Sequence, residues 1–352
     1  VTNDDMTAVL ECAALAPSVH NTQPWRFDVD GDTIEVRAER DRQLSYLDPT
    51  GRQLHVSCGA AIEFAFLAAR SIGRECTVRL LPEGGDPDLL ASIQLGPARV
   101  PTTTERLLAE AIPVRYTDRG PYTDRTVPAD LVEDIRARAA DFDVWIRTVD
   151  DAEGRRALIT VLSDAEHAEA ADARYGEELA RWTGTDGDVG VPADAIAGRW
   201  PSDRVSHVPL RDFTGHASHP SVEGRGDAAP PSVERDLLLM LGTPYDDPRA
   251  WLTAGRALGW AAARGGGRCL GTAARSGDRP AAGAVRAAAR VRARRLPAVR
   301  RTDGVRDRPA ADTTAPRRTR LSQSGYDGSI RATNAAAWVR RSMPSFVSRL
   351  DT

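Results

Sequence analysis

Pro17-Ser18-Val19-His20-Asn21-Thr22-Gln23-Pro24-Trp25 is the stretch on which the reading of this chain turns. Just upstream, residues 5–16 (DMTAVLECAALA) have helix-forming composition and apolar spacing, and Pro17 closes the run. Just downstream, Trp25–Glu39 alternates apolar positions (Phe27, Val29, then Ile34, Val36) around Asp30-Gly31-Asp32, the pattern of a β-hairpin. Between helix and strand lies a short polar loop. It offers a hydroxyl (Ser18), two side-chain amides (Asn21, Gln23) and backbone groups, while Pro24-Trp25 fixes the loop and fills core volume. Read alone, the stretch is also consistent with an Asn/Ser-rich turn anchored by an aromatic residue.

Outward from this loop, helix and strand patterns alternate. Asp48-Pro49-Thr50-Gly51 is turn chemistry. From Arg52 to Gly73 small and apolar residues recur at helical spacing (Ala60, Ala61, Phe64, Leu67, Ala68, Ile72), which predicts a long helix packed closely on a neighbour. Thr77–Leu81 and Leu90–Leu95 read as strands, and Thr104–Ile112 as a short helix. Pro128–Ala140 is the next helix, Val144–Val149 a strand, and Asp151–Trp182 one long acidic helix whose Asp164–Glu178 part is a solvated face. Thr183–Ser232 is rich in Gly, Pro, Ser and Asp and too long for an ordinary connector, so it reads as a lid or a poorly ordered segment. Leu237–Leu241 is an apolar strand, and Pro248–Trp260 a helix that Asp246-Asp247 starts.

The 352 residues suffice for two domain-sized units. No apolar run could cross a bilayer and the first residues lack a secretory pattern, so a cytoplasmic location is expected. Cys12, Cys58, Cys76 and Cys269 have no CxxC spacing and read as buried thiols rather than a disulfide or zinc framework. His216 and His219 lack acidic or cysteine companions, so no metal site is expected. All 47 basic residues are arginine, which fits a GC-rich gene. The net charge of −3 hides a division: residues 261–352 carry 20 Arg against 6 Asp and no Glu, a net of +14, while residues 1–260 carry −17. Residues 261–320 contain no Ile, Phe, Trp or Tyr. Two readings follow for 261–352: out-of-frame translation, which explains a break in the middle of a helix, and a basic tail for nucleic acid, which does not. The first is preferred, and nucleic acid is not expected as a partner.

The loop matches PSxxNxQPW, a signature of the nitroreductase superfamily, and the chain resembles its Acg-like branch, in which two nitroreductase halves are fused. A second element, Arg115-Tyr116-Thr117-Asp118-Arg119, resembles the R-x-S-x-R motif that holds the FMN phosphate in that family. Two guanidinium groups and a hydroxyl suit a phosphate dianion. Leu47-Asp48-Pro49-Thr50-Gly51-Arg52, Ser57-Cys58-Gly59-Ala60-Ala61, Arg211-Asp212-Phe213 and Leu241-Gly242-Thr243 are further family-like text, so the resemblance spans roughly residues 5–260.

The resemblance implies an α+β fold: a mixed sheet flanked by helices, with two halves (1–112 and 113–260) forming an intramolecular pseudo-dimer. In family homodimers each flavin touches the phosphate motif of one subunit and the Pro-Ser loop of the other. Here the first half keeps the loop and the second the phosphate motif, which implies one composite FMN site of Pro17, Ser18, Asn21, Gln23, Arg115, Thr117 and Arg119. The implied activity is NAD(P)H-dependent reduction of nitro-aromatic or quinone-like acceptors through flavin N5, with no side-chain acid or base assigned. The rivals are a lidded protein that binds FMN without turnover and an inactive frame-shifted product. The partner is a small-molecule electron acceptor, and the chain acts as a monomeric pseudo-dimer or a homodimer.

Overall fold

The computed structural model describes residues 1–115, 117, 126–185, 189–192, 204–205, 232–233 and 237–265. Helix α1 (Asn3–Ala14) begins at a reciprocal cap in which Thr2 and Asp5 satisfy each other's backbone N–H groups. After the Pro-Ser loop the chain forms the expected hairpin, β1 (Trp25–Asp30) and β2 (Thr33–Ala38), with Val29 opposite Ile34 and Trp25 opposite Ala38. Helix α2 (Arg52–Ser71) follows, then β3 (Arg74–Leu80) and β4 (Leu89–Ala98). These strands form one antiparallel sheet of order β1-β2-β4-β3. Helix α3 (Thr103–Ala111) repeats the reciprocal cap with Thr102 and Glu105.

Beyond residue 113, α4 (Ala129–Ala140) precedes β5 (Trp145–Thr148). One continuous helix was expected over 151–182. The structure instead has α5 (Ala152–Ala170) and α6 (Ala173–Arg181), because Asp172 leaves the helical conformation and caps α6 through the Arg174 N–H at 2.9 Å. Short pairings follow: β6 (Thr183–Thr185) with β7 (Val191–Pro192), and β8 (Arg204–Val205) with β9 (Ser232–Val233), both parallel. Most of the expected lid, with Arg211-Asp212-Phe213, His216 and His219, lies outside the described residues. Strand β10 (Leu239–Gly242) pairs antiparallel with β5, and α7 (Pro248–Arg264) starts at Asp247, whose side chain accepts the Ala250 N–H at 2.8 Å.

The α+β class therefore holds. Among the described residues, the expected mixed sheet is two separate antiparallel sheets, with parallel pairing only in the short β6–β7 and β8–β9 contacts. The short β1–β2 and β3–β4 connections favour antiparallel pairing, since parallel neighbours need long crossovers. The helix at 248 runs four residues past Trp260, to Arg264, and Ala261 and Ala263 are buried in it. Cys269 and the rest of the basic segment from 266 lie outside the described residues.

The neighbour that the small residues of α2 anticipate is α7. At their crossing, a methyl on Gly59 would overlap the Leu252 carbonyl oxygen, and one on Gly255 would overlap that of Val56. Helix α2 also carries Glu63, which is fully buried. Its carboxylate accepts from Arg256 of α7 at 2.7 and 2.9 Å and from Arg138 of α4 at 3.3 Å, and both guanidiniums stack on Phe142. One apolar cluster lies between α1, α2, α3 and the four-stranded sheet, and a second between α4, β5 and α7. Trp260 packs against both. No helix among the described residues is long and apolar enough to cross a membrane.

Candidate functional site

The Pro-Ser loop leaves α1 at Pro17 and makes a 3₁₀ turn at Val19–Asn21 before entering β1. His20, Asn21 and Gln23 all have positive φ, at 49°, 53° and 48°. A left-handed backbone costs about 1–2 kcal/mol per non-glycine residue, so the surroundings must hold it. Within the loop, Ser18 Oγ accepts the Gln23 N–H at 3.0 Å. From α2, Ser57 Oγ accepts the Val19 N–H at 3.4 Å, and Cys58 Sγ donates to the Pro24 carbonyl at 3.3 Å. Beyond β2, the Glu39 N–H and the Arg42 guanidinium donate to loop carbonyls. Thr22, Pro24 and Trp25 are buried, whereas Pro17, Ser18, Asn21 and Gln23 are half-buried, so the polar side chains lie at an accessible surface.

Two later segments reach this region. Asn21 and Gly190 form a reciprocal pair: Asn21 Nδ2 donates to the Gly190 carbonyl at 2.9 Å, and the Gly190 N–H donates to the Asn21 carbonyl at 3.0 Å. Helix α6 docks on the turn after Arg42. Glu178 accepts the N–H groups of Tyr46 and Leu47, each at 2.9 Å, and Tyr46 Oη donates to Asp172 at 2.7 Å. Asp172 and Glu178 are therefore docking groups and not part of a wholly solvated acidic face.

Arg115 comes from the other half of the sequence. Its Nη2 donates to the Leu15 carbonyl at 3.2 Å, two residues before Pro17. Its Nε is buried and has no hydrogen-bond partner among the described residues. Burial holds this guanidinium below its usual value.

No family model matches the chain. Curated relatives do. “Putative NAD(P)H nitroreductase Rv3131” of Mycobacterium tuberculosis is 36% identical over 255 residues, covering 72% of this chain and 71% of the relative. “Putative NAD(P)H nitroreductase acg” of the same organism is 33% identical over 255 residues, covering 72% and 73%.

This chain belongs to the Acg-like branch of the nitroreductase superfamily.

In this Acg-like chain, the four loop residues named from the sequence share one turn, and Arg115 is tied to the residue that leads into it. Thr117 is exposed, and Arg119 lies outside the described residues. Sequence reading passed over Arg42, Gly190 and Glu178. Arg42 had a signal: the hairpin register that sets Ala38 against Trp25 brings the following turn back to the loop. Gly190, 169 residues from Asn21, had none.

Proposed function

We propose that this Acg-like chain is an FMN-dependent NAD(P)H oxidoreductase that reduces nitro-aromatic or quinone-like acceptors. In this reading residues 1–112 and 113–260 are two nitroreductase-like halves sharing one composite site. Arg115 carries the proposal: a cation from the second half, with a buried unpartnered N–H, docked at the entrance of the first half's loop.

The residues present fit FMN. A guanidinium short of acceptors in a desolvated position suits a phosphate, and Thr117 and Arg119 follow at the family spacing. The polar rim of an isoalloxazine needs donors and acceptors once removed from water, and Ser18, Asn21 and Gln23 provide both kinds from one half-buried turn. When bound, the flavin supplies hydride transfer at N5. The protein's part is to orient it through the loop, neutralise its phosphate with Arg115 and Arg119, and exclude water with Trp25 and the packed α2 face.

The experiment is the visible absorbance of the purified protein after FMN is added and free ligand removed. Retained flavin that is lost in the Arg115→Ala, Arg119→Ala double variant supports the composite site. No retained flavin in the parent overturns it.

A second reading, FMN binding without turnover, has one observation in its favour: Gly190 engages the loop amide of Asn21, so part of the expected lid lies at the site. Bleaching of bound flavin by NAD(P)H separates the two. For the arginine-rich segment, the aligned 255 residues are about the length that precedes it, which supports reading it as out-of-frame text and the product as inactive if no flavin is retained. Translating the gene in all three frames tests that: absence of apolar periodicity in every alternative frame past this point sinks it.

A further inference from the structure

We propose that Arg42 is a positioning residue for the flavin loop, holding the turn at Thr22 and Gln23 in the form that presents Asn21 and Gln23 to the cofactor. The inference rests on the FMN reading above and assigns a role to a residue outside both family motifs.

The argument begins with the hairpin. Its register places Ala38 opposite Trp25, and the Glu39 N–H continues the ladder by donating to the Pro24 carbonyl at 3.0 Å. The chain then closes a 3₁₀ turn at Arg40–Arg42, with the Arg42 N–H on the Glu39 carbonyl and the Gln43 N–H on the Arg40 carbonyl, both at 3.0 Å. Side chains on either side of Arg42 secure that turn. Arg40 Nε donates to Asp88 at 2.7 Å, and Gln43 Nε2 donates to the Asp48 carbonyl at 2.8 Å. Arg42 is thus delivered from a braced turn. Its Nη1 donates to the Gln23 carbonyl at 3.1 Å and the Thr22 carbonyl at 3.5 Å.

Two successive carbonyls converging on one point repel each other unless a strong donor sits between them. A charged nitrogen is suited to that, since charge-assisted hydrogen bonds are roughly twice as strong as neutral ones. The convergence occurs at Gln23, one of three left-handed residues in the loop. Without the cation, the peptide units around Gln23 have a reason to rotate, and the amide side chain would turn with them. The other restraints on the loop act on Val19, the Gln23 N–H, Pro24 and, through the Trp25 N–H at 2.9 Å, the Gln23 carbonyl, and Arg42 is the donor that bridges that carbonyl to the carbonyl of Thr22.

The test compares the parent with Arg42→Ala, Arg42→Gln and Arg42→Lys in two measurements. The first is FMN affinity, by quenching of flavin fluorescence, with the position of the visible band. The second is amide hydrogen exchange over residues 19–25 in flavin-free protein. Arg42→Ala and Arg42→Gln should weaken FMN at least tenfold, move the band and speed exchange. Arg42→Lys, which keeps a charged donor, should stay within threefold of the parent. Arg42→Ala binding within twofold of the parent, unchanged exchange, or Arg42→Lys as weak as Arg42→Ala would each overturn the proposal. If Arg42→Ala does not fold, the Lys and Gln variants, matched in polarity, carry the comparison. A parent that takes up no FMN sinks the cofactor reading and this inference together. A parent that binds FMN beside an indifferent Arg42→Ala sinks this inference alone.

Discussion

Glu63 and Arg115 bury charge for opposite ends. Glu63 is surrounded by two guanidiniums, so its carboxylate is compensated within the fold. Removing it strands Arg138 and Arg256 around Phe142. Glu63→Ala should destabilise the protein by about 3 kcal/mol, read as a lowered urea midpoint with an unchanged slope. Among the described residues Arg115 is not compensated, because its acceptor there is the Leu15 carbonyl. Arg115→Ala should therefore leave the flavin-free protein as stable as the parent or slightly more so, while FMN affinity falls at least tenfold. Thermal melts with and without FMN check this, and equal loss in both would make Arg115 merely structural. The loop residues and Arg115 were legible because each lies inside a contiguous motif. Arg42 was legible only indirectly, through the hairpin register that returns its turn to the loop, and Gly190 was not, because its relation to the loop is made by folding and leaves no local spacing to read.

At the level of elements, the helix starts at Asp151 and Asp247 were legible, since each acid caps within three residues of itself, whereas Thr2 and Thr102, which cap α1 and α3, were passed over. The break between α5 and α6 was hidden because Asp172 sits in otherwise continuous helix-forming sequence. The packing partner of α2 was anticipated only in kind: small residues announced a close neighbour and could not name α7. That crossing predicts a steep penalty. Gly255→Ala places a methyl against the Val56 carbonyl and should cost about 1–3 kcal/mol, seen as a lower melting temperature. At α3, burial alone would raise the Glu105 carboxyl, but Arg99, the Thr102 N–H and Arg70 together bring it down to about 2. A depressed acid stabilises the fold above its unfolded pKa, and that contribution disappears as pH falls from about 4.5 toward 2. Solvent screening at this surface ion cluster reduces what the shift alone implies, so the parent should lose about 1 kcal/mol relative to Glu105→Gln across that window. Urea midpoints measured from pH 5 to 2.5 decide it, and parallel curves would refute the assignment.

For the described molecule as a whole, α7 is the shared member. It buries residues against α2 and α4, and Trp260 touches both apolar clusters. Neither cluster is complete without it, so tryptophan fluorescence and far-UV circular dichroism should report one coincident urea transition; two separated transitions would show that the clusters unfold independently. The α+β class was legible from alternating periodicities, whereas the separation into two sheets was not, because strand pairing depends on which edges meet. The α2–α7 crossing also sets a schedule for the ribosome. Arg256 follows Glu63 by 193 residues. At about 5–20 residues per second, the glycine face of α2 waits on the order of 10–40 seconds for its partner to emerge, and Glu63 has only Arg138 to pair with until then. During that interval the nascent chain displays an unfinished helix surface, which makes early synthesis, rather than the finished fold, the stage most exposed to aggregation and most dependent on chaperones.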